Sequence, residues 1–85
     1  MTNLTSVQIE TVRTYKRQAD YLNTLAQNIK RDEETLAKDP TNVHANIGKA
    51  MREREYYQVM KYLDEVIWWF NKQGLDVEQL CKEVR

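Results

Sequence analysis

The chain has 85 residues, enough for one domain with a small core, and its 13 basic and 13 acidic residues cancel to a formal charge of zero. That balance argues against electrostatic capture of nucleic acid or of an anionic membrane, both of which need a surplus of positive charge. Two Gly and one Pro are too few for a strand-and-turn protein, and no stretch approaches the roughly 20 apolar residues that span a bilayer.

The first predicted helix covers about residues 5–38. Thr5 is placed to cap it, with Gln8 three residues on as the second half of a capping box and Leu4 with Ile9 at the staple positions. An apolar seam follows through Val12, Tyr15, Ala19, Leu22, Ala26, Ile29 and Leu36, at alternating spacings of three and four interrupted once, at Glu33. This is a heptad seam, the pattern of a coiled coil, and so long a seam calls for a helical neighbour. Asp39-Pro40-Thr41-Asn42 breaks it. Pro40 forbids continuation, and Asp39, Thr41 and Asn42 are each able to cap the next helix. A connection this short makes the two helices antiparallel neighbours.

The second helix is predicted over about residues 42–73. Residues 56–70, YYQVMKYLDEVIWWF, hold both Trp, the one Phe and three of the five Tyr. At helical spacing Tyr56, Val59, Met60, Leu63, Val66, Ile67 and Phe70 share one broad face, while Trp68 and Trp69 point elsewhere. The earlier half sets Val43, Ile47, Ala50, Met51 and Tyr57 on nearly the opposite side, and the face reverses across the charged run 49–55, KAMRERE. Either the helix bends there or its halves answer to different neighbours. Gly74 ends it, a position where positive φ costs Gly little. A short third helix, about residues 76–84, starts at Asp76 with Gln79 as its box partner. Its apolar face is expected on the aromatic end of the second helix, over Trp68 or Trp69.

The fold class is therefore all-α: a single domain, residues 1–85, built as an antiparallel helical hairpin of two long helices plus a short C-terminal helix. One hairpin cannot cover all of this apolar surface, with the excess expected on Tyr56 to Phe70, so a homo-oligomer, a dimer in the simplest case, is expected to complete a bundle.

Chemistry-bearing residues are sparse. His44 stands alone without the partner that nucleophilic or acid–base catalysis requires, and no His/Cys pair has zinc spacing. Cys81 lies on the apolar face of the third helix and reads as a small buried hydrophobe; a lone Cys and the absence of a basic-then-apolar start fit a cytoplasmic protein. The carboxylates of Asp32, Glu33, Glu34, Glu53, Glu55, Asp64 and Glu65 nearly all neighbour Lys or Arg at helical spacing, which suits solvated ion pairs better than paired catalytic acids. The reading is a protein that is not an enzyme and needs no cofactor or metal. Its candidate binding residues are Lys49, Arg52, Arg54, Tyr57, Trp68 and Trp69: arginine for planar recognition of carboxylate or phosphate, aromatics for stacking or apolar contact. Around the turn, Lys30 and Arg31 are expected level with Lys49 and Arg52, as a cationic group for a phosphate-bearing ligand.

Arg54-Glu55 followed by Leu63, Glu65 and Trp69 resembles the helical-hairpin family of phage sponge proteins, which sequester cyclic-nucleotide or ADP-ribose-derived signals of bacterial CBASS and Thoeris immunity. The resemblance covers about 16 of the 85 residues. It departs at Lys61, where the family has a ligand-contacting Thr, and at Val59 and Val66, where the family has small residues. It implies Arg54 as a ligand contact. Two functions follow as expectations. The first is a self-associating, non-catalytic helical protein that binds a protein partner, of the kind a phage or mobile element uses as an inhibitor of host defence. The second is an oligomeric sponge for a nucleotide immune signal.

Overall fold

The computed structural model describes residues 3–84; the outermost residues of the expected domain, 1, 2 and 85, lie outside the described residues. Three helices follow one another: α1, Ser6–Lys38; α2, Val43–Lys72; and α3, Val77–Glu83. There is no strand among the described residues. The long helices pack antiparallel, and α2 continues unbroken through the charged run 49–55.

The boundaries follow from local chemistry. Thr5 Oγ1 accepts from the Gln8 amide at 3.1 Å and Gln8 returns its side-chain oxygen to the Thr5 amide at 2.8 Å, closing the predicted box. At the turn Asn42 is the cap, accepting from the Ala45 amide at 2.9 Å, while Asp39 holds the Thr41 amide and hydroxyl. Gly74, at φ 73°, is the left-handed residue after α2. Its amide bonds to the Asn71 carbonyl and the Leu75 amide to the Phe70 carbonyl, both at 3.0 Å, a Schellman closure that turns the chain back toward α1. Asp76 caps α3 on the Glu78 amide, one residue short of the Gln79 position that a capping box uses.

Burial falls in two clusters. Val12, Val66, Phe70, Val77 and Leu80 form one where all three helices meet, with Trp69, Leu75 and Cys81 against it. Leu25, Val59 and Leu63 form the other, midway along the hairpin. Tyr15 and Tyr62 flank both. Toward the turn the buried apolar residue is Ala45, and the two arms of the hairpin are tied by an ion pair between Arg52 on α2 and Asp32 on α1. The register runs from Gln8 against Gln73, through Leu25 against Val59, to Asp32 against Arg52.

The structure moves three sequence expectations. Leu25, off the expected seam of α1, is buried, while Ala26, on it, is exposed. Both lie within one step of Leu22 on the side facing α2, and the larger side chain fills the gap before Val59 and Leu63. Met60, expected on the buried face of α2, is exposed, because it lies at the edge of that face beyond the reach of α1. The third helix centres on Phe70 and Val12, with Trp69 at its margin, and leaves Trp68 in the open.

The molecule is a rod of 54 × 20 × 16 Å, with a radius of gyration of 16.8 Å. A compact chain of this length has about 12 Å. Its accessible surface is 6499 Å² for a mass of 10.2 kDa, where a compact monomer exposes about 5,300 Å².

Candidate functional site

A hairpin has one inner seam, so whatever α2 presents on its other side stays in water. The buried residues Ala45, Val59, Leu63, Val66 and Phe70 define the side of α2 that meets α1. Half a turn round from them runs a second apolar line. Val43 is 63% exposed, Ile47 55%, Met51 67%, Tyr57 69% and Trp68 59%. Val43, Ile47, exposed Ala50, Tyr57 and Trp68 keep the alternating spacing of an association seam, with Met51 beside it, and Arg54, Lys61 and Asp64 occupy its polar steps. Single exposed apolar residues need no explanation; several on one side of a helix are the kind of surface that contacts between proteins use.

The six candidate residues divide on this geometry. Arg54, Tyr57 and Trp68 lie on the outer line; Tyr57 makes an edge-to-face contact with Tyr56 at 6.0 Å, and Trp68 carries the Lys72 ammonium 4.4 Å above its ring. Lys49 and Arg52 do not join them. Lys49 pairs with Glu53 at 3.6 Å within α2, and Arg52 is engaged by Asp32 of α1. Trp69 packs edge-to-face on Phe70 at 4.9 Å, at the rim of the three-helix cluster. The cationic group expected near the turn is thus interrupted by carboxylates. Lys30, its member on the open groove beside the hairpin, shares that groove with Glu33, Glu53, Tyr56 and Tyr57. The groove is about 360 Å³, within the size range of ligand sites. Two carboxylates against one ammonium give it the wrong sign for a phosphate. A second groove, beside Tyr62, Trp68 and Trp69, has Glu65 as its charged residue.

Three side chains hold their protons to higher pH than usual. Burial pushes the Cys81 thiol above its ordinary pKa, with the Lys16 ammonium opposing and Glu78 adding to the shift. Burial likewise raises the Tyr15 phenol, and the neighbouring Cys81 contributes. Tyr21, hydrogen-bonded to Glu55 across the hairpin, is raised by that bond. His44 is exposed at the start of α2. Among the described residues, no three His, Cys, Asp or Glu side chains cluster as metal ligands, and no helix is long and apolar enough to cross a membrane.

Sequence reasoning missed the Asp32–Arg52 tie. The signal was there in part: Gly48 stands one turn before Arg52, and a Cβ on it would sit 2.7 Å from the guanidinium. No family model, no curated protein and no solved structure matches this chain.

Proposed function

We propose that this is a non-catalytic interaction protein that self-associates and engages a protein partner through the outer face of α2. The observation that carries the reading is the exposed line Val43, Ile47, Met51, Tyr57 and Trp68, placed opposite the hairpin's own core. Water contact on such a line is unfavourable by about 25 cal/mol for each Å² of apolar surface, and a partner removes that cost. The line carries both signs of charge, Arg54 and Lys61 against Asp64, on a chain of zero formal charge. That mixture complements another protein surface better than a polyanion or an anionic bilayer.

The test compares the wild-type chain with Ile47→Glu and Tyr57→Glu as immobilised baits, with captured proteins identified by mass spectrometry and self-association read by light scattering. Both positions are exposed, so helicity and melting should be retained. Specific capture and self-association should both weaken at least tenfold, about 1.4 kcal/mol. Equal capture and equal mass for wild type and variants would overturn the reading.

A further inference from the structure

We infer that the first occupant of the outer face of α2 is a second copy of this chain, lying antiparallel, with Arg54 of each copy paired to Asp64 of the other. The inference rests on the reading of that face as an association surface and adds the occupant, the direction and the register.

Three observations converge. The first is area. The chain exposes 6499 Å² against about 5,300 Å² for a compact monomer of 10.2 kDa. The surplus of about 1,200 Å² exceeds the roughly 800 Å² that each partner loses in a stable protein–protein interface. The second is unspent charge. Arg54 and Asp64 form no ion pair within the chain among the described residues, whereas Arg52, one position from the outer line, is satisfied by Asp32. The third is the order of residues along the line.

A parallel pair would set Arg54 on Arg54, Lys61 on Lys61 and Asp64 on Asp64, like charge against like at every polar step. An antiparallel pair with its two-fold axis level with residue 59, near the middle of Val43–Lys72, removes all three conflicts. Arg54 then faces Asp64 of the second copy, the Lys61 stem and ammonium face the Tyr57 ring, and the large Trp68 covers the small Ala50. Slipping the copies by one heptad in one direction sets Ile47 on Asp64 and Ala50 on Lys61. Slipping them in the other carries Ile47 and Ala50, as well as Val43, beyond the end of the second copy's α2, where the centred register leaves only Val43 past it. The centred register is the one that pairs Arg54 with Asp64 while keeping Ile47 and Ala50 within the second copy's α2.

Because the outer line is diametrically opposite α1, this pairing gives a flat row of four helices, α1–α2–α2–α1, in place of a closed bundle. The grooves lined by Lys30, Glu33 and Tyr56 then flank the row, with Tyr57 at their covered edge.

Charge exchange tests the register. Light scattering at tens of micromolar should give the wild-type chain about twice its 10.2 kDa mass. Arg54→Asp alone and Asp64→Arg alone should each be monomeric with unchanged helicity, since each sets like charges together at both ends of the interface. An equimolar mixture of the two single variants should regain the dimer mass, and so should the chain carrying both changes. Single variants that dimerise like wild type, or a mixture that stays monomeric, would overturn the register. A monomeric wild type would overturn the second-copy occupant. The reading of the outer face as an association surface would then still stand if Ile47→Glu and Tyr57→Glu abolish specific capture, so the two failures are distinguishable.

Discussion

Gly48, Arg52 and Asp32 show how one position can carry a trade between helix propensity and a tertiary contact. Glycine inside α2 costs about 1 kcal/mol relative to alanine. Its missing Cβ leaves room for the Arg52 guanidinium, which would otherwise lie 2.7 Å from that carbon on its way to Asp32. Arg52 is 39% exposed and Asp32 15%, so the pair should contribute roughly 0.5–1 kcal/mol, near the upper end for accessible ion pairs. Gly48→Ala should therefore gain about 1 kcal/mol in an Arg52→Ala background and half of that or less in the wild type, a coupling readable from urea midpoints. Equal gains in both backgrounds would show that the guanidinium moves aside freely. Core side chains contribute more than this surface tie. Leu63→Ala and Leu25→Ala should each cost about 2–5 kcal/mol in chemical unfolding, since both side chains are nearly fully buried in one cluster. A cost below about 0.5 kcal/mol, the scale of surface substitutions, would contradict that burial. Leu63 was legible from the density of apolar residues around it. Leu25 was not, because spacings of three and four both follow from Leu22, and the choice between Leu25 and Ala26 depends on the volume left by Val59 and Leu63 on another helix.

At the scale of elements, starts and stops were the most legible features, because each is written within a few residues. Thr5 with Gln8, the Pro40 break and Gly74 fixed the ends of the long helices to within a residue. The seat of α3 was not legible, since it depends on where the Schellman turn aims the chain. That turn delivers Val77 and Leu80 onto Phe70 and Val12, and the Lys16 ammonium donates to the Val84 carbonyl at 2.9 Å to hold the end. Around this seat Tyr15 and Cys81 both have raised pKa values, chiefly through burial. In each case the fold favours the neutral, protonated form. The native chain holds these protons to higher pH than the unfolded chain does, so their contribution is intact below the ordinary values of 9.0 for Cys and 10.0 for Tyr. It is lost as pH rises through the elevated native values. Stability should accordingly fall above about pH 9, with α3 releasing first. Tyr15→Phe with Cys81→Ser should flatten that alkaline slope in urea midpoints measured against pH. An unchanged slope would assign it to other groups.

The whole molecule carries the consequence of a two-helix plan. A hairpin has one seam, and α3 thickens it at one end only, so the core narrows to Ala45 near the turn while Val43, Ile47 and Met51 stand in water on the other side of α2. That a lone hairpin leaves apolar surface uncovered was legible from counting its apolar faces. The excess expected on Tyr56 to Phe70 is partly buried there, at Val59, Leu63, Val66 and Phe70, and the exposed line begins instead at Val43 and Ile47. Which face stays uncovered required the structure, because α2 runs unbroken along α1 and one rotation about its axis must serve both halves. The rotation that buries Val59, Leu63, Val66 and Phe70, where Val77 and Leu80 join the core, turns Val43 and Ile47 outward. If the outer face pairs copies of the chain, folding and association are linked, and stability must depend on concentration. For a dimer that unfolds to separated chains, each tenfold rise in concentration adds about 1.4 kcal/mol per dimer, or about 0.7 kcal/mol per chain. For a domain of this length that should raise the melting midpoint by roughly 3–6 °C per decade. The same scan on Arg54→Asp should show a lower midpoint and no concentration dependence, while its equimolar mixture with Asp64→Arg should restore both. A wild-type midpoint constant from micromolar to hundreds of micromolar would mean that the hairpin is stable alone and that its outer face waits for a different protein.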